Sequence, residues 1–118
     1  IRLVGYRFKQ RIMDFGVEGK SAEDNVIIFM ASNLAGNKLQ LVIENNGQTS
    51  VLLSKSILFL NVWYHIAISL KDSSGSIYID GILDSSSLFY MQKPRSVIRT
   101  QNFFGKSNSP DRDVSAAD

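Results

Sequence analysis

The sequence predicts an all-β fold, an antiparallel two-sheet β-sandwich of the jelly-roll kind, on three observations. Apolar residues recur with a period of two, clusters of Gly, Asn, Asp and Ser punctuate them at short intervals, and no stretch carries a helical period. The chain has 118 residues, the size of one domain. Its 44% hydrophobic and 20% charged content is that of a globular chain and argues against intrinsic disorder.

The elements follow in order. Val26-Ile27-Ile28-Phe29-Met30 is apolar on both parities and predicts a strand covered on both sides. Leu39, Leu41 and Ile43 alternate with Lys38, Gln40 and Glu44, which predicts a half-buried strand. Asn45-Asn46-Gly47 then offers residues that tolerate positive φ, and Thr49 to Leu53 completes a hairpin. Trp63 to Leu70 places Tyr64, Ile66, Ile68 and Leu70 on one face and Trp63, His65, Ala67 and Ser69 on the other. Lys71 to Gly75 supplies turn chemistry before Ser76 to Ile79, and Asp80-Gly81 reverses the chain into Ile82-Leu83, giving a three-stranded meander. Asp84 to Lys93 reads as a Ser-rich loop with the exposed-looking anchor Phe89-Tyr90-Met91, ended by Pro94. Val97-Ile98 and Asn102 to Gly105 read as short strands, and the tail from Lys106 to Asp118 is polar.

Composition excludes several chemistries. Without cysteine there is no disulfide framework, thiolate metal site or cysteine nucleophile, and the sole histidine, His65, has no partner for a multi-histidine centre. A net charge of +2 is too dispersed to predict nucleic-acid affinity. The apolar runs, such as Val26 to Ala31 and Ile57 to Leu60, are far short of the ~20 residues a membrane helix needs, so no membrane insertion is expected. The chain opens Ile1-Arg2-Leu3 without a signal-peptide pattern, from which a longer gene product is expected.

The stretch Trp63-Tyr64-His65-Ile66-Ala67-Ile68, a Gly-containing turn, then Ile77-Tyr78-Ile79-Asp80-Gly81 resembles the laminin-G-like, concanavalin-A-like jelly-roll family. Gln10 to Gly16 is similar to that family's early Q-R-I-x-D-F-G strand, and Phe103 to Asn108 to its late strand end. The resemblance implies a single domain over residues 1–118, an extracellular or cell-surface setting, and an excerpt whose border strands are missing at both ends.

Candidate sites each have two readings. Trp63 and His65 share a parity, so they either line a groove, the indole stacking on a sugar, or pack between the sheets. Phe89, Tyr90 and Met91 beside Lys93 and Arg95 either touch a protein partner or close one end of the sandwich. The ligand-binding candidates are therefore Trp63, His65, Tyr90 and Arg95. The resemblance also implies a family in which some members bind calcium at one rim of the sandwich. Oxygen donors for it are Asp14, Glu23, Asp24, Asn25, Asn108, Asp111, Asp113 and Asp118, the competing reading being solvated loop acids. Arg7, Lys9 and Arg11 would share one strand face, as a polyanion surface or a solvated one. Asp72 and Asp80 read as turn residues.

Three functions compete. The first is a non-catalytic recognition or adhesion module that binds carbohydrate or protein through rim loops, with Ca2+ as the candidate cofactor. The second is an architectural domain that packs against neighbouring domains of the same assembly. A glycoside hydrolase is disfavoured, because Glu18, Glu23 and Glu44 fall at or beside turns and no E-x-D-x-x-E arrangement occurs.

Overall fold

Eight strands and no helix form among the described residues of the computed structural model, which are 1–6, 10–20, 23–31 and 37–108. They are β1 (Arg11–Gly16), β2 (Val26–Met30), β3 (Lys38–Asn45), β4 (Gln48–Ile57), β5 (Ile66–Lys71), β6 (Ser74–Ile79), β7 (Ile82–Ser86) and β8 (Gln101–Phe104). A five-stranded sheet runs β4-β3-β2-β1-β8 and a three-stranded sheet runs β5-β6-β7, all pairs antiparallel. This is the two-sheet antiparallel architecture that the alternation predicts.

Two reversals follow directly from residue type. Asn46-Gly47 joins the pair Asn45 and Gln48 with φ of 51° and 83°, and Asp80-Gly81 joins Ile79 and Ile82 with φ of 52° and 80°. Positive φ at both central positions matches the right-handed strand twist, and Gly meets it without strain. The third reversal sits earlier than the sequence suggests, at Asp72-Ser73, where Asp72 has a φ of 54°. Gly75 therefore belongs to β6, where a Cβ would stand 2.7 Å from the Met91 sulfur. Its role is close approach, not turning.

Met30, Leu39, Leu41, Ile43, Leu52, Leu58, Ile77 and Met91 form the core between the sheets. Ile66, Ile68, Ile79 and Tyr64 pack against it from the small sheet, as their shared parity requires. A second buried group, Ile27, Phe29 and Val42, lies on the opposite face of the large sheet. β2 is thus covered on both sides, and so is β3, which the sequence reads as half-buried. Met91 is buried too, unlike Phe89 and Tyr90 beside it.

Three further expectations change. β4 continues to Ile57 and β7 to Ser86, and the two meet through Asp84. The register of β6 and β7 skips at Asp84, and this bulge turns its carboxylate toward β4, where it accepts the Lys55 N–H at 2.7 Å, the Ser56 N–H and the Ser56 hydroxyl. Burial opposes ionisation there, but these donors outweigh it and hold the carboxyl below its usual range. Val97-Ile98 forms no strand, because side chains on either side of it, Arg95 and Arg99, are bonded to Asp24.

Candidate functional site

The calcium candidates are split by the fold. β1 and β2 place Asp14 and Asn25 side by side, and the segment after β8 brings Asn108 to them. Asp14 is 1% exposed. Its Oδ1 accepts Asn25 Nδ2 at 2.8 Å and Asn108 Nδ2 at 2.9 Å, its Oδ2 accepts the Asn108 N–H at 3.0 Å, and Arg11 Nε lies 3.3 Å away. Gly16 makes room for this knot, since a Cβ there would fall 2.9 Å from both amide nitrogens. Asn25 Oδ1 is buried with no donor among the described residues. Asp24 is elsewhere engaged, in a two-pronged contact with Arg95 at 3.0 and 2.6 Å and with the Asn46 N–H at 3.0 Å. The Arg95 hydrogen bond, then that of Asn46, hold the Asp24 carboxyl below its usual range. Asp111, Asp113 and Asp118 lie outside the described residues, as do Arg7 and Lys9. Arg11 is buried, with its guanidinium 4.9 Å from the Phe29 ring centre. Among the described residues no three His, Cys, Asp or Glu side chains gather as a metal cluster.

Trp63 and His65 are not packed between the sheets. Trp63 is 71% exposed, with the Arg2 guanidinium 5.6 Å from its ring centre. His65 is exposed as well, its main chain exchanging hydrogen bonds with Asp80 at 2.8 and 2.9 Å. That exchange confirms the turn role of Asp80. The imidazole borders an apolar trough of about 550 Å³, lined by Ile12, Ile28, Ile66, Ile68 and Phe104 along β5. Trp63 is not among the trough's lining residues.

Tyr90 belongs to a different surface. Met91 N donates to Ser73 O at 2.9 Å and Ser87 N to Gly75 O at 2.8 Å, so Leu88, Phe89 and Tyr90 arch outward between two fixed points where the turn between β5 and β6 leads into β6. They are 90%, 85% and 73% exposed. Gln92 and Lys93 continue the fastening, through Ser50, Gln48 and Asn45. On one side of the arch lies a groove of about 730 Å³ between β4 and β7, with Val51, Leu53 and Leu83 in its walls. On the other lies a depression of about 630 Å³ over β5 and β6. Both volumes are in the range of small-molecule sites. Of the four ligand candidates, the fold thus leaves Trp63 and His65 exposed beside the start of β5, places Tyr90 on the arch, and engages Arg95 with Asp24. Sequence reasoning missed Asp84 and the serines of β5 to β7, which carry no motif. Their signal lies in cross-strand register alone.

A family model of the laminin G type, described as the concanavalin A-like lectin/glucanases superfamily, matches residues 6–117. No curated protein sequence matches. Among solved structures, the chain is similar to an S-layer domain-containing protein from Clostridium thermocellum, with 23% identity and a TM-score of 0.39. The match covers 78% of this chain and 41% of that one. With the family match across nearly its whole length and a two-sheet antiparallel sandwich to go with it, the chain belongs to the concanavalin A-like lectin/glucanase superfamily.

Proposed function

We propose that this is a non-catalytic recognition module of an extracellular or cell-surface protein, and that it meets a glycan or protein partner through the Leu88–Tyr90 arch. One observation carries the reading: three consecutive large apolar side chains project into solvent while the residues on either side of them are hydrogen-bonded to Gly75 of β6 and to Ser73 in the turn before it. Single exposed apolar residues are ordinary, whereas a contiguous and fastened set marks a contact surface. Fastening also lowers the ordering cost of binding. Fold membership does not decide between lectin and enzyme. Two carboxylates border the arch, Asp72 in the turn between β5 and β6 and Asp84, and Asp84 is committed to the β4 backbone, which makes it a poor general acid or base. A glycan array and a partner pull-down, with the native chain and Phe89→Ala/Tyr90→Ala, test the proposal. Binding lost in the variant supports it, and equal binding by both removes the arch from the site.

Calcium assistance belongs to the same proposal and would draw on Asp14, Asn25 and Asn108. Asn25 Oδ1 is a buried acceptor there without a donor among the described residues, and Asp14 would exchange its amide donors for the ion. An ion bound only by the folded chain must raise the melting temperature. An unmoved transition at millimolar calcium retires the ion.

A further inference from the structure

The two sides of the arch differ in chemistry. The groove toward β4 carries the aliphatic side chains Val51, Leu53, Leu83 and Leu88 beside polar ones, Lys55, Asp84 and the serines of β7 among them. The depression on the other side has no aliphatic wall. Strand register explains it: Ser69 pairs with Ser76 and Ser76 with Ser86, so three hydroxyls form one row across the outward face of the small sheet. Neighbouring strands stand about 4.8 Å apart, which sets the spacing of the backbone positions that carry this row. Ser76 Oγ and Ser86 Oγ already lie 3.2 Å apart, within hydrogen-bonding reach. Tyr78 follows Ser76 on the same face, Phe89 and Tyr90 stand as the far wall, and Lys71 sits at the margin. Hydroxyls both donate and accept, and aromatic rings offer flat apolar faces.

We propose that this depression over β5 and β6 is a saccharide subsite, in which a sugar ring lies against the Phe89–Tyr90 wall and turns a hydroxyl edge toward Ser69 and Ser76. The inference rests on the recognition reading above and narrows it, by giving the hydroxyl-lined side of the arch to a polyhydroxylated ligand. An apolar side chain of a peptide gains little on this side, where it would cover hydroxyls without hydrogen-bonding them. The groove toward β4, with Val51, Leu53, Leu83 and Leu88, is the side that suits such a side chain.

The test uses the whole chain and a panel of neutral hexose and N-acetylhexosamine oligosaccharides, followed by calorimetry and by amide chemical shifts. The native chain is expected to bind at least one of them, with shifts at Ser69, Ser76 and Tyr78. Tyr90→Ala and the Ser69→Val/Ser76→Val double variant should each weaken that affinity about tenfold or more, the effect of losing one or two ordinary hydrogen bonds or an aromatic contact. Valine keeps the strand propensity of these positions. Val51→Thr, in the opposite groove, should leave affinity unchanged. If the serine variant binds like the native chain while Tyr90→Ala does not, the subsite is overturned and the arch remains the contact surface. A protein captured through Tyr90 with no saccharide bound overturns the subsite in the same way. No ligand of either class overturns both readings. Should the serine variant fold poorly, the shifts of the native chain decide: bound sugar that leaves Ser69, Ser76 and Tyr78 unmoved contradicts the subsite.

Discussion

Asp14→Ala removes one acceptor from Asn25, Asn108 and Arg11 together, leaving their donors and a buried cation without it. Breaking a buried ion pair from one side costs about 3–5 kcal/mol, and that loss is expected in urea unfolding of the variant. Besides Asp84, two further carboxyls are shifted and contribute to the pH dependence with opposite signs. Asp24 is held below its ordinary 3.8 by Arg95 and Asn46, so its contribution is present above that value and fades as pH falls through the lowered one. Glu44 is pushed above its ordinary 4.5 by burial and then by the charge of Asp14. Its contribution is therefore complete below 4.5 and is lost as pH rises through the folded value. Thermal melts from acid to neutral pH should show Glu44→Gln gaining relative to the native chain toward neutrality. Asp24→Asn should lie below the native chain at neutral pH and converge with it in acid; parallel curves would contradict both assignments. Asp14, Asn25 and Asn108 are legible in the sequence as oxygen donors, because carboxylates and amides are few. Their shared partner is not, since the contact spans 94 positions between Asp14 and Asn108.

At the scale of elements, the turns were the most legible feature. Positive φ at adjacent positions restricts residue choice to Asn, Asp and Gly, so Asn46-Gly47 and Asp80-Gly81 announce themselves. Gly47→Ala and Gly81→Ala have open space for the new methyl group, so only backbone strain acts. Each should cost about 1–2 kcal/mol, read as a lowered melting temperature with the strand signal of circular dichroism intact. Gly16→Ala fails for the other reason, crowding the amides that hold Asp14. The ends of β4 and β7 were not legible. Ser54-Lys55-Ser56 and Ser85-Ser86 lack an alternating apolar pattern, and their extension depends on the Asp84 bulge that ties the two strands together. Val97-Ile98 misleads in the opposite direction, being apolar and β-branched yet held out of any ladder, with Ile98 exposed.

For the whole molecule, period-two alternation gave the fold class, because each sheet has one face toward a common core. It could not give the surfaces. The groove beneath the arch joins β4 to β7, and the trough beside His65 joins β5 to β1 and β8, so both arise from pairings between remote segments. The five-stranded sheet is also wider than the three-stranded one, and among the described residues no strand lies along the outer edge of β5, which opens the trough. Phe59, Trp63 and Phe104 are exposed aromatic residues outside the arch, and recognition is assigned to the arch, where the exposed side chains are contiguous. Binding of one captured glycan or protein ligand should be compared for the native chain, Phe89→Ala/Tyr90→Ala and Trp63→Ala, all shown to be folded by their thermal transitions. The account predicts that the arch variant loses at least about tenfold in affinity, as truncation of a central aromatic contact does, while Trp63→Ala binds like the native chain. Loss of binding in Trp63→Ala with the arch variant unaffected would contradict it.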